Sequence, residues 1–427
     1  MTERLLQYIW QFQHLNSNEL QTTDAQTLQV IFAGNYNSNQ GPDFLNGKIK
    51  IDNTTWIGSI ELHINSSDWE LHNHSNDKNY NNVILHVVWN DDINLQLPFP
   101  TLELKNRVSK LLLGKYEELM QAQYFIPCEK HLHEINELVI TKWKESLLVE
   151  RLQQKVIYIE TLLKNNKQHW EETFWWVLAR NFGVKINCDT FEKIAQSIPL
   201  NLLAKHKNQL IQLEALLMGQ AGLLGPNFEE DYPIMLYKEY SFLQKKYKLK
   251  PVHLPLYFLR MRPANFPTIR LAQLAMMVHE SRHLFDNIKE TAEVREAEKL
   301  FDITANDYWH YHYVFDEAGT FKKKTLGKEM IHNLFINTVI PMLYAYGYFN
   351  SKETFKHKAM RWMEQIAAEN NRITKGYELL GIKNNSAFDS QALIQLKNEY
   401  CDQKRCLQCA IGNSILKEVP RKDAKFR

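Results

Sequence analysis

Along this chain the spacing of apolar residues changes once, near residue 108, and that change limits the folds open to it. Before it, apolar and polar residues alternate with the period of two expected of strands, in KIKI at 48–51, WIGSIELHI at 56–64 and NVILHVVW at 82–89. Asn- and Gly-rich turns separate these runs, an amphipathic start (Leu5, Leu6, Ile9, Trp10) precedes them, and Pro98 and Pro100 close them. From Ser109 the period becomes 3.6, which predicts helices near 109–122, 136–165, 170–181, 190–218, 232–246, 268–300, 328–345, 352–367 and 387–400. A chain of 427 residues is too long for one core. The expected fold class is α+β, with a small N-terminal mixed α/β domain over 1–108 and a large all-α region over 109–427.

Charge divides at the same place. The formal net charge of +2 hides 12 acidic against 6 basic residues before position 109, and 37 against 45 after it. An acidic front is joined to a mildly basic helical body, so near-neutrality is no objection to a DNA or RNA partner. The N-terminal stretch has no apolar core of a signal peptide, and the most apolar run, 339–349, is interrupted by Pro341. A cytoplasmic protein without a membrane segment is expected.

Chemistry-bearing residues concentrate between 41 and 89. Asp43 follows a Gly-Pro turn and leads into a strand; Glu61 and His63 lie in the next strand and, two residues apart, point to one face. Adjacent strands can therefore bring Asp43, Glu61 and His63 together. Paired carboxylate oxygens suit Mg²⁺ or Mn²⁺, which can activate water and stabilise a phosphoryl transition state. Asp68, His72, His74 and Asp77 follow in a loop or short helix, and His86 lies in the third strand, as secondary candidates. The alternative is a half-exposed sheet whose wet face carries Glu61 and His63 while Ile60, Leu62 and Ile64 pack inward.

GPDF followed by IELH resembles the signature of the PD-(D/E)xK nuclease superfamily, which implies a restriction-endonuclease-like N-terminal domain. The resemblance implies that Asp43 and Glu61 are metal ligands and that His63 stands where the superfamily carries Lys. Over nearly the full length, GPDF, SSDW..H.H, Y.NVILHVVW, GQAGLL, RPANFPTIRLAQLA and YC...RCLQCAIGN are similar to a bacterial family of unknown function.

Two further segments carry candidates. Arg260, Arg262 and Arg270 surround two Pro and Phe266 at an expected helix start capped by Thr268, a plausible phosphate-binding site. The same Arg residues would equally brace helices through Glu or carbonyl groups. HESRH at 279–283 matches the HExxH pattern in which two His one helical turn apart bind zinc. A zinc peptidase would need a third ligand from Asp302, Glu293, Glu296 or Glu298. Arg282 and the charged segment that follows favour a surface helix instead.

Five cysteines, three of them in Cys401, Cys406 and Cys409, do not make a disulfide framework. Their C-x4-C-x2-C spacing predicts a Zn²⁺ or iron–sulfur site. Cys128, beside His131 and His133, is the first candidate for the fourth ligand and Cys188 the second; free thiols in a helical turn are the alternative. Some iron–sulfur nucleases are similar in using one upstream and three downstream Cys, although there the nuclease core lies between them.

The sequence thus points to a metal-dependent nuclease in which Asp43 and Glu61 hold the cation, His63 orients water or phosphate, and the basic body carries the nucleic-acid backbone. The alternative is a non-catalytic nucleic-acid or protein-binding module with a degenerate nuclease fold, which the missing Lys favours.

Overall fold

The structure is a computed structural model describing residues 1–417. The protein is mixed α/β, with a curled N-terminal sheet and a large helical region. Among the described residues the chain forms two compact units, one made of 1–144 with 396–417, the other of 145–395. The change of period at 108 marks where the strands of the sheet end, whereas the packing boundary falls inside the long helix Glu137–Asn165. Leu396–Cys401 returns the chain to the first unit, a connection that periodicity cannot report.

The first unit is built on six strands: β1 (Leu28–Phe32), β2 (Asn35–Tyr36), β3 (Phe44–Ile51), β4 (Thr54–Asn65), β5 (Val83–Asn90) and β6 (Thr101–Glu103). Their order is β1-β3-β4-β5-β6, with β2 also on β3. The pairs β1–β3 and β3–β4 are antiparallel; β4–β5 and β5–β6 are parallel. A parallel pair needs a crossover, and here residues 66–82 supply it. Gly58 in β4 is required by close approach, since a Cβ there would come within 2.5 Å of the Asn82 carbonyl and Ile84. Val83 and His86 sit in a strand buried along most of its length, as a central parallel strand must be.

Helix α1 (Glu3–Gln11) begins where the Thr2 hydroxyl accepts the Leu5 N–H at 3.3 Å. Its apolar stripe of Leu5, Leu6, Ile9 and Trp10 is buried, and the helix touches β4. Each such side chain contributes about 1.5–3 kcal/mol by leaving water. Beside that stripe, next to Trp10, lie Glu3 and Gln7, four residues apart. The crossover holds α2 (Asp68–Leu71) and two single turns of 3₁₀ helix, His74–Asn76 and Lys78–Tyr80. Between His72 and His74 the chain reverses at Asn73, which is left-handed (φ 57°), a conformation Asn tolerates.

The second unit is helical. Its core joins Phe174, Phe182, Phe191, Phe285, Phe301, Trp309, Phe335 and Trp362, all nearly inaccessible to solvent. Two long predicted helices are broken. The 190–218 stretch resolves into Val184–Ser197, Leu200–His206 and Leu210–Gln220, interrupted first at Pro199. The 268–300 stretch resolves into Pro267–Glu280, Leu284–Glu290 and Val294–Lys299. A turn of π-helix over Phe335–Val339 precedes Pro341 and lets one helical run continue through it to Phe349. Among the described residues no helix is long and apolar enough to cross a membrane.

The break at Ser281 corrects the HESRH expectation. His279 lies in the last turn of a helix that ends at Glu280, Ser281 is extended, and His283 is left-handed at φ 48°. The two His therefore do not share a helical face. His279 Nδ1 lies 2.7 Å from the Lys207 carbonyl, and Glu298 pairs with His332 at 3.2 Å. No zinc-peptidase arrangement forms at these residues.

Candidate metal centre

Register explains the site. Glu61 pairs with His86 across β4 and β5, and the period of two places Glu61, His63 and His86 on one face. Asp43 immediately precedes β3. Its N–H donates to Glu61 Oε2 at 3.0 Å, and Asp43 Oδ2 accepts the Leu62 N–H at 3.1 Å. Gln7 of α1 donates to Asp43 Oδ1 at 2.7 Å. Sequence reasoning missed Gln7 and Glu3; their signal is the polar stripe of α1.

The face is not wet. Glu61 is 5% exposed and His63 2%, so ionisable groups here have lost most of their hydration. Burial pushes the carboxyl groups of Asp43 and Glu61 well above the usual range; the charge of Glu3 adds to the first, and the charges of Asp43 and then Glu3 add to the second. Burial, followed by the neighbouring imidazoles, holds His63 far below its ordinary value, and His86 down to about 4. His74 is lowered by burial and by His72. Near neutral pH the His63 and His86 rings are uncharged.

The imidazoles form one group. His63 Nδ1 lies 2.9 Å from His86 Nε2, and His63 Nε2 lies 3.1 Å from His72 Nδ1. Glu61 Oε1 is 3.6 Å from His63 Nε2 and 3.5 Å from His74 Nε2. One ring nitrogen from each of His63, His72 and His74 lies within 4.8 Å of the others. His74 stacks on Tyr80, with ring centres 3.9 Å apart. Trp69 stands edge-on to His63, His74 and His86. His74 Nε2 and His86 Nδ1 are buried and have no hydrogen-bond partner among the described residues. Asp68 stays apart: its Oδ2 accepts the Asn65 N–H at 2.9 Å, and Asp77 caps the turn at Asn79.

Beside His74 opens a cleft of about 590 Å³ lined by Trp56, Trp69, Tyr80, Asn82 and Phe99 among others. It offers aromatic faces and amide groups.

The chain matches, over residues 3–372, the model of a family described as a protein of unknown function (DUF2851). The chain belongs to that family. The matched span of DUF2851 contains the whole carboxylate–histidine group and ends before Cys401. No curated protein and no solved structure matches the chain.

The remaining candidates are placed as follows. Cys128, Cys401, Cys406 and Cys409 all belong to the first unit, and no disulfide joins any cysteine. Burial raises the Cys128 thiol strongly, and the neighbouring thiols of Cys401, Cys409 and Cys406 raise it further. Cys406 is pushed up to about 12 by burial and by Cys409, and the backbone N–H groups of Gly412 and Ile411 are directed at Cys409. Cys188 lies in the second unit, where its thiol donates to the Lys185 carbonyl at 3.3 Å. Arg260 and Arg262 are exposed, whereas Arg270 is buried and donates to Gln273 at 2.8 Å and to Asn265. The helix there starts at Pro267, and the Thr268 hydroxyl donates to the Tyr313 carbonyl instead of capping it.

Proposed function

We propose that this chain is a metal-dependent phosphodiester hydrolase, a nuclease centred on Asp43, Glu61 and His63. One observation carries it: the Glu61 carboxylate accepts the Asp43 N–H at 3.0 Å, burial raises the carboxyl groups of both residues, and His63 beside them is uncharged near neutral pH. Such a donor set lacks a compensating positive charge, and a divalent cation is the group that relieves it. The placement, Asp43 at one strand start and Glu61 in the next strand, is what the PD-(D/E)xK resemblance implies. It also supports a restriction-endonuclease-like first domain.

A bound Mg²⁺ or Mn²⁺ would supply Lewis-acid activation of water and charge compensation at phosphorus. The chain's own residues do the rest. Gln7 and the Leu62 N–H orient Asp43, and the Asp43 N–H orients Glu61. His63, neutral and held by His86, can orient water or a phosphate oxygen. The aromatic cleft offers bases a stacking surface. The basic excess of residues 109–427, Arg260 and Arg262 included, supplies attraction for the backbone of DNA or RNA.

Oligonucleotide cleavage with Mg²⁺ or Mn²⁺ tests this. Asp43→Ala and Glu61→Ala are expected to lower the rate at least about a hundredfold; cleavage that survives both changes overturns the assignment. Salt-dependent binding of oligonucleotides with no cleavage by the wild type would favour the non-catalytic module instead.

We also propose that Cys128, Cys401, Cys406 and Cys409 hold Zn²⁺ or an iron–sulfur cluster, tying residue 128 to the returning C-terminal segment. The buried thiols that raise one another's pKa support it. Protein purified without oxygen should carry metal that Cys406→Ser loses. Less than about 0.2 metal per chain would sink the idea.

A further inference from the structure

The two oxygens of Glu61 face different neighbours. Oε2 accepts the Asp43 N–H at 3.0 Å, while Oε1 lies 3.5 Å from His74 Nε2 and 3.6 Å from His63 Nε2. Both Asp43 oxygens already accept hydrogen bonds, from Gln7 and Leu62. The carboxylate oxygen left for a ligand therefore points at imidazoles, not at the other carboxylate.

We propose that His63, His72 and His74, whose ring nitrogens lie within 4.8 Å of one another, form a site for a borderline transition-metal ion of the Zn²⁺ class, with Glu61 Oε1 beside His63 and His74 as the carboxylate. Donor atoms about 2.0–2.1 Å from a tetrahedral ion sit roughly 3.3 Å from one another. The Glu61–His74, Glu61–His63 and His63–His72 separations are 3.5, 3.6 and 3.1 Å, close to that spacing. Three imidazoles and one carboxylate suit zinc, iron or cobalt, whereas Mg²⁺ prefers oxygen and water.

Two features around the ring nitrogens support the assignment. His63 Nδ1 meets His86 Nε2 at 2.9 Å; with the proton on Nδ1, the Nε2 lone pair faces His72 and Glu61. His86 is then a positioning residue. His74 Nε2 is buried and without a hydrogen-bond partner among the described residues, a group that a bound ion would satisfy. Access is through His72, which is exposed, and through the cleft beside His74.

The site shares Glu61 and His63 with the proposed hydrolase centre and rests on that reading only for where chemistry would occur. Metal uptake is read separately from cleavage. The full chain, stripped with a chelator and reloaded with Zn²⁺, is compared with the His72→Ala/His74→Ala double variant and with Cys406→Ser. The double variant is expected to lose about one Zn²⁺ per chain, while Cys406→Ser keeps that ion against a large excess of Mg²⁺. X-ray absorption at the zinc edge of the loaded Cys406→Ser protein should show imidazole neighbours. That measurement leaves the site intact, so it decides the matter if the double variant fails to fold.

A folded double variant with unchanged zinc content, or a spectrum without imidazole scattering, overturns the proposal. Protein that binds zinc in this way but cleaves no oligonucleotide keeps this inference and removes the hydrolase. Protein that cleaves with Mg²⁺ while the histidine changes alter neither metal nor rate does the reverse.

Discussion

The helical unit and the sheet unit both bury ionisable side chains, but they give them different company. In the helical unit several such groups have complementary partners. Arg180 pairs with Asp189 and Glu192, and Arg151 donates to Gln391 and Gln395. Lys358 donates to the carbonyls of Ile288, Lys289 and Thr291, and His312 reaches the Tyr308 carbonyl and Glu230. Even Glu214, fully buried, accepts Tyr232 O–H at 2.7 Å and Trp309 N–H at 3.0 Å. In the sheet unit the company is alike: Asp43 beside Glu61, and His63 beside His72, His74 and His86. Complementary partners stitch a fold, whereas crowded like groups cost stability and are kept where a ligand repays it.

That contrast can be broken in several ways, beginning with the largest effect. Trp362 is fully buried against Phe335 and donates to the Ala292 carbonyl. Trp362→Ala should lose about 3–5 kcal/mol in urea unfolding; a loss below about 1 kcal/mol would mean that the helical core is not what holds this unit.

Next comes pH. Burial raises Glu214 to about 7, so the folded chain keeps a proton that the unfolded chain releases near 4.5. Stability from this group therefore falls as pH rises between those values. Glu214→Gln should gain on wild type by on the order of 3 kcal/mol above about pH 7, and by nothing below about pH 4. The sign is the same for Glu61, which is also raised. In chelator Glu61→Gln should show a shallower loss of stability with rising pH than wild type. Added Zn²⁺ should flatten the wild-type profile only by the part that Glu61 contributes; if it also removes the part due to Glu214, the contrast fails.

Smaller effects sharpen the picture. Lys358→Met leaves three carbonyls without their shared donor and should cost about 1.5–3 kcal/mol, read by the thermal midpoint. His72→Ala, at an exposed position, should change metal-free stability by less than about 0.5 kcal/mol while lowering the rise in midpoint that Zn²⁺ produces. A large metal-free loss would mark His72 as structural.

Strand alternation made part of this legible. Phe44–Ile51, Thr54–Asn65 and Val83–Asn90 cover the runs that alternation marked, and the grouping of Asp43, Glu61 and His63 follows from the same local period. The short edge strand Leu28–Phe32 lacks such a signal because most of it is not buried. His72 and His74 stood in the sequence as loop residues. Their approach to His63 depends on the reversal at Asn73 and on the crossover between β4 and β5.

By itself the sequence determined the period of each stretch, hence an amphipathic start and strands before 108 and helices after it, because burial of one face is written locally in residue spacing. Only the tertiary structure decided where helices stop, which oxygen of Glu61 meets the imidazoles, and which unit the C-terminal cysteines join. The end of the helix at Glu280 shows why. Lys207 donates to the Ser281 carbonyl and His279 meets the Lys207 carbonyl, contacts spanning more than seventy residues, so the HExxH spacing never becomes a helical face. Spacing reports faces; non-local hydrogen bonds and packing decide ends, crossings and neighbours.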